Sequence, residues 1–194
     1  MKSRNFQKLA GLFAAIALLG GSLFAASADV TSGPSLSWSE TLNVPVEASQ
    51  LLKKIQSNAN KLSRDAATLE SFGRGGLSRQ SHASQLMEVK SGINAIGDSL
   101  ERLQAIRHAT TPWQQRAIDS IVPVAANLAD HTEAAIVHLN ENPSHLWTPV
   151  YTDRLKLIDD RAGEIKESVD LHLELAATQD KLEALRTKVV TTGS

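Results

Sequence analysis

The chain has 194 residues, with 20 Lys+Arg against 21 Asp+Glu, no cysteine, and aromatic residues at only 4%. The missing cysteine excludes a disulfide framework, thiolate zinc and iron–sulfur sites, covalently attached haem and a cysteine nucleophile. A formal charge of −1 gives no basic footprint for nucleic acid, and the length suits a single domain.

Residues 1–28 read as a signal peptide. Lys2, Arg4 and Lys8 make a positive start, Leu9 to Leu19 is an apolar run, and Ala26-Ser27-Ala28 is a small-residue cleavage site. Cutting before Asp29 sends the protein to the periplasm or the exterior, with no stable membrane anchor. The rival reading is a retained anchor, since Leu9 to Ala28 carries no charge. Gly20, Gly21 and Ser22 interrupt that stretch, and the Ala-x-Ala ending favours cleavage. Losing three basic residues leaves 17 Lys+Arg against 21 Asp+Glu, a mature charge of −4. The remaining chain of about 166 residues is long enough to be held by its core alone.

Residues 29–44, rich in Ser, Thr and Gly, read as an extended lead-in whose Trp38 tucks onto the domain. The predicted bundle spans 45–190. Helix one is expected over 45–71, with Pro45 in the first turn, where its missing N–H costs nothing. Its stripe is Ala48, Leu52, Ile55, Ala59, Leu62, Ala66 and Leu69, in alternating steps of four and three. Gly73 is expected to take the left-handed turn that ends it. Helix two, over 79–109 with Ser78 as N-cap, carries Leu86, Val89, Ile93, Ile96, Leu100 and Leu103, with His82 on the same register. Gly92 and Gly97 within it mark a close helix approach.

Thr111-Pro112-Trp113-Gln114 combines an N-cap, a first-turn proline and a capping-box glutamine, and opens helix three over 112–140. Its stripe is Ile118, Ile121, Ala125, Leu128, Thr132, Ala135 and Leu139, with a kink expected at Pro123. Helix four, over 149–188, repeats the cap-then-proline device at Thr148-Pro149. Tyr151, Leu155, Ile158, Ala162, Ile165, Val169 and His172 hold its seam. Beyond Ala176 the register slips, and Leu182, Leu185 and Val189 continue on a shifted face. Four amphipathic helices with short connections predict an all-α, up-down-up-down antiparallel four-helix bundle.

No phosphate-binding glycine loop, G-x-S-x-G or H-E-x-x-H occurs. The Glu-x-x-His pairs of di-iron bundles are absent as well. No nucleophile–base arrangement can be named, so neither catalytic residues nor cofactors are expected. A b-type haem would need Met87 or a second histidine near His172, and helix rise places Met87 and His172 roughly 20 Å apart along the bundle. Haem electron transfer is a remote alternative.

At the other end of the bundle, the expected helix ends bring together His82, His138 and His145, with His131 two turns below His138. Trp147, Tyr151, Phe72, Arg74 and Arg79 come to the same end. Imidazoles, aromatics and two arginines suit a divalent metal or a small anion; bulky side chains also simply close the open ends of bundles. His172 is expected to be a buried seam histidine. The leading functional expectation is an exported, non-enzymatic helical module that acts in interaction, scaffolding or envelope stress, with an unknown protein as partner. The alternative is a metal or small-anion binder using the histidine end.

Overall fold

The computed structural model describes residues 38–192 and contains four long helices: α1 (Trp38–Gly75), α2 (Arg79–Ile106), α3 (Pro112–Glu141) and α4 (Pro149–Thr192). A single 3₁₀ turn, Arg107–Ala109, follows α2. α1 packs on α2 and α4, and α3 packs on the same two, so the helices form a square in chain order. The connections at 76–78, 107–111 and 142–148 alternate between the two ends. Neighbours are therefore antiparallel, as the cross-links between α1 and α4 show. Gln56 at the middle of α1 donates to Asp170 at the middle of α4 at 2.7 Å, and Gly73 at the end of α1 faces Thr152 and Leu155 at the start of α4. The expected antiparallel four-helix bundle is the fold, and the described residues contain no strand. No described helix is long and apolar enough to cross a membrane. The proposed signal peptide and the lead-in up to residue 37 lie outside the described residues, as does the side chain of Trp38.

The apolar stripes read from the sequence are the core. Every expected residue of helices one, two and three is buried, from Ala48 through Leu139, and in α4 the burial holds from Tyr151 to Val169. A four-three spacing keeps these side chains on one line of each helix, so four lines meet along a single axis and exclude water. His172, expected to be buried, is only half-buried. It sits one turn from the end of the seam, where α4 begins to leave the bundle.

Helix ends depart from expectation in instructive ways. α1 begins at Trp38, so residues 38–44 are helical and Pro45 lies inside the helix. The proline ring is compatible with helical φ and removes one hydrogen bond near a helix end. Its carbonyl is well supplied, accepting from Ser49 Oγ at 2.9 Å and from Gln114 Nε2 at 2.7 Å. α1 also runs past Gly73 to Gly75, and Gly76 takes the left-handed turn at φ 62°. Gly73 stays helical because its bare Cα faces Thr152 and Leu155 of α4. α2 stops at Ile106, three residues early, where the backbone tightens into the 3₁₀ turn. Ser78 caps α2, its Oγ accepting from the Ser81 N–H at 3.2 Å.

At the head of α3 the Thr111 N–H donates to Gln114 Oε1 at 2.9 Å, so the glutamine arm of the capping box forms. The same side chain reaches across to α1 through its Nε2, to Pro45 and Ser49. One residue thus caps its own helix and ties it to another. α3 continues through Pro123 to Glu141, and α4 runs four residues beyond its expected end. Thr148 does not cap α4 with its hydroxyl, which donates back to the His145 carbonyl at 2.9 Å.

Gly92 is the close approach expected in helix two. A Cβ built there would lie 3.1 Å from Leu62 Cδ1 and 3.4 Å from Leu62 Cβ. Gly92→Val is expected to overpack this α1–α2 contact and lower stability by about 1–3 kcal/mol. A shift of the urea midpoint at unchanged slope checks it.

Candidate functional site

The connections 76–78 and 142–148 meet at one end of the bundle, and the histidine and aromatic residues do gather there. His82, in the first turn of α2, is buried, and its Nδ1 shares a hydrogen bond with the buried Tyr151 hydroxyl at 3.1 Å. The Phe72 ring meets His82 edge-on at 5.7 Å, and the His138 ring stacks on Tyr151 at 5.1 Å. This continuous run of rings, Phe72–His82–Tyr151–His138, links all four helices.

One ring nitrogen of each histidine in this run is engaged within the protein. Tyr151 holds one nitrogen of His82. The Nε2–H of His138 donates to the His145 carbonyl at 3.4 Å; a carbonyl only accepts, so that nitrogen carries its proton and offers no lone pair. His145 is exposed and lies against Trp147 at 6.0 Å. His131 is two turns down α3 from His138, about 10 Å away along the helix. Among the described residues no group of three or more His, Cys, Asp or Glu side chains comes together as a metal requires.

The arginines are similarly committed. Arg79 caps the end of α3, its Nε donating to the Leu139 carbonyl at 3.3 Å and its Nη2 to Asn140 Oδ1 at 3.4 Å. Arg74 pairs with Glu70 one turn before it. A shallow cleft of about 300 Å³ remains between Phe72, Arg74, Arg79, Leu146 and Trp147. Leu146, not Trp147, plugs the bundle end: the leucine is buried and the tryptophan is 72% exposed. The tight 142–148 connection turns the smaller side chain inward.

Electrostatics agree with a sealed polar pair. Burial pushes His82 below its ordinary pKa of 6.5 and raises Tyr151 above the usual phenol range. Both groups are held neutral at physiological pH. The other buried polar residues are likewise satisfied. Ser99 and Thr132 donate to carbonyls one turn back, Thr110 bonds the Arg107 carbonyl, and Gln114 is bonded as described. Met87 is 61% exposed on the outer face of α2, so it offers no axial ligand to a haem in the core. Near the opposite end, His172 Nε2 lies 3.2 Å from Ser120 Oγ. Burial, with Arg116 as the second cause, lowers the pKa of His172.

The longest regular run of exposed large apolar side chains among the described residues lies on α4. Its bundle seam advances in four-three steps to Ala176. Carried further, the same line would pass through Gln179, Glu183 and Arg186, which are polar and exposed. A second line of apolar residues starts before the first one ends. Leu171, Leu175, Leu182, Leu185 and Val189, with Thr178 and Thr192 in step, again follow four-three spacing. Each of the five apolar side chains is exposed by half or more. The two lines are one residue apart, about 100° around the helix. They overlap between Leu171 and Ala176, so the second stripe begins on the bundle wall and continues along a projecting helix. Every residue from Ala177 to Thr191 is exposed.

The slip at Leu182, Leu185 and Val189 is visible in the sequence, whereas the earlier start at Leu171 is hidden there because that residue follows a complete bundle stripe. No protein-family model, curated protein or solved structure matches the chain.

Proposed function

We propose that the chain is an exported, non-catalytic docking module whose working surface is the second stripe of α4. The observation that carries this reading is the uncovered apolar line from Leu171 to Val189. An apolar patch of this regularity marks an interaction surface more often than a solvated one. An isolated helix of about 16 residues is also only marginal in water, and helices draw most of their stability from packing. A covered stripe would supply that packing. The histidine end supports the non-catalytic reading in that His82 Nδ1 is bonded to the Tyr151 hydroxyl and His138 Nε2 to the His145 carbonyl. Export rests on the charged start, apolar run and Ala-x-Ala site of residues 1–28.

Site-specific photo-crosslinking in intact cells tests the reading. A photoreactive residue at Leu182 is expected to give discrete protein adducts, and the same probe at Lys53, exposed on α1, is expected to give none. Equal labelling at the two positions, or no adduct at Leu182, would contradict a docking role. Mass spectrometry of the purified exported chain is expected to find Asp29 at its start. An intact Met1 in the membrane fraction would overturn the export reading.

A further inference from the structure

The α4 stripe also points to its own occupant. We infer that it pairs with the same stripe of a second copy, as an antiparallel two-helix coiled coil related by a two-fold axis beside residue 180; this deepens the docking reading above and rests on it.

The first argument is self-complementarity. A two-fold contact requires a surface to match itself when reversed. Reversing the stripe about residue 180 sets Leu171 against Val189 of the other copy and Leu175 against Leu185, with Thr178 against Leu182. All five exposed apolar residues then gain an apolar or threonine partner. Sliding the copies by one heptad towards the bundles sets Leu185 against Ser168 and Val189 against Glu164. Sliding them the other way pushes Leu171 past the end of the partner helix. Only the centred register covers the whole stripe.

Charge selects the direction. In the heptad set by this stripe, Glu174, Lys181 and Lys188 flank it on one side and His172, Gln179 and Arg186 on the other. Antiparallel helices bring the same flank of both copies together. Glu174 then meets Lys188 twice, at the cost of one Lys181–Lys181 approach at the axis. On the other flank Gln179 meets itself and His172 meets Arg186, with His172 held neutral by its lowered pKa. A parallel pair would bring Lys181 to Arg186 twice, with no opposite-charge contact in return. Geometry permits the antiparallel pair as well. The projecting turns extend about 24 Å beyond Ala176, and the last turns of each helix, residues 184–192, run along the bundle wall of the other copy beside residues 176–168, where Leu171 and Leu175 are exposed.

The chain contains no cysteine, so introduced thiols report without background. Sedimentation of the full exported chain across the micromolar range is expected to show a monomer–dimer equilibrium, and the Leu182→Glu/Leu185→Glu variant a monomer with bundle helicity retained. Under diamide oxidation, a mixture of Leu171→Cys and Val189→Cys chains is expected to give the mixed disulfide dimer. Neither variant alone is expected to cross-link, because each position is roughly 27 Å from its own copy in this arrangement. Efficient self-cross-linking of Val189→Cys would show a parallel pair and overturn the inference. A wild-type chain that stays monomeric throughout would overturn it too. Discrete cellular adducts at Leu182 to a different protein would then leave the docking reading standing without the second copy.

Discussion

Replacing Tyr151 with alanine is expected to cost about 4–8 kcal/mol of folding stability, the largest effect of any single truncation at the histidine end. The side chain is fully buried, stacks on His138 and bonds His82. Removing it opens a cavity at the junction of all four helices, and cavity formation at a buried aromatic costs about 3–5 kcal/mol. It also strands the His82 nitrogen in an apolar setting, which adds about 1–3 kcal/mol. The total rivals the whole stability of a typical domain, roughly 5–15 kcal/mol. Urea unfolding followed by circular dichroism measures it. Tyr151→Phe keeps the ring and removes only the hydroxyl, so its expected cost is about 1–2 kcal/mol. A loss below that for Tyr151→Ala would mean that the ring run does not hold the bundle end together.

Acid sensitivity is the second large effect, and His82 is its main source. The unfolded chain takes up a proton on this residue near the ordinary value of 6.5, whereas burial in the fold defers uptake to lower pH. Between those two values the unfolded state binds more protons, so stability rises with pH there and falls on acidification. The loss starts near the unfolded value and ends once the folded pKa is passed. His172 acts in the same direction from its half-buried position. Carboxylates with lowered pKa, such as Asp170 bonded by Gln56 and Lys166, lose their contribution only at more acid pH.

His82→Leu is therefore expected to have two separable consequences. At about pH 7.5 it orphans the Tyr151 hydroxyl and costs about 1–3 kcal/mol. Between about pH 6.5 and 5 it flattens the decline seen in the wild type. The double variant His82→Leu/Tyr151→Phe removes both partners and is expected to recover much of the loss at neutral pH while keeping the flat profile. Thermal melts across that range supply the measurement. A single variant that keeps the wild-type acid slope would mean that His82 is not held neutral by burial.

Much of this fold was legible because the bundle is periodic. The four-three spacing of Ala48 to Leu69, or of Ile118 to Leu139, leaves one face for the core, and all of those side chains are buried. Helix ends were less legible because they are set by contacts distant in the chain. Pro45 looked like a first-turn residue, yet Gln114 of α3 supplies its carbonyl and the helix extends back to Trp38. Gly73 looked like the terminator, yet contact with Thr152 and Leu155 keeps it helical and leaves the turn to Gly76.

Helix spacing brings Phe72, His82, Tyr151 and His138 to one end of the bundle, but it does not give their geometry. His82 and Tyr151 each lie on their own helix seam, but only the packing of the whole bundle, which sets α2 diagonally across the core from α4, shows that their polar atoms meet. A stripe predicts that a residue faces inward, not which atom it meets there. The same gap explains Trp147 and Leu146, where the loop path rather than side-chain size decides burial. The second stripe of α4 was partly visible as a register slip. Its start at Leu171 emerges only when burial separates two lines that run one residue apart.

Hydrogen exchange resolved along α4, at several protein concentrations, tests most directly the claim that this helix has one stripe for its own bundle and another for docking. Amides of residues 151–170 are expected to be protected at every concentration, because their seam is covered by α1 and α3. Amides of residues 178–190 are expected to exchange quickly in dilute solution and to gain protection as concentration rises, while those of α1 to α3 stay constant. Protection of residues 178–190 equal to that of the bundle at all concentrations would show that their own chain already covers the stripe, and would contradict the account.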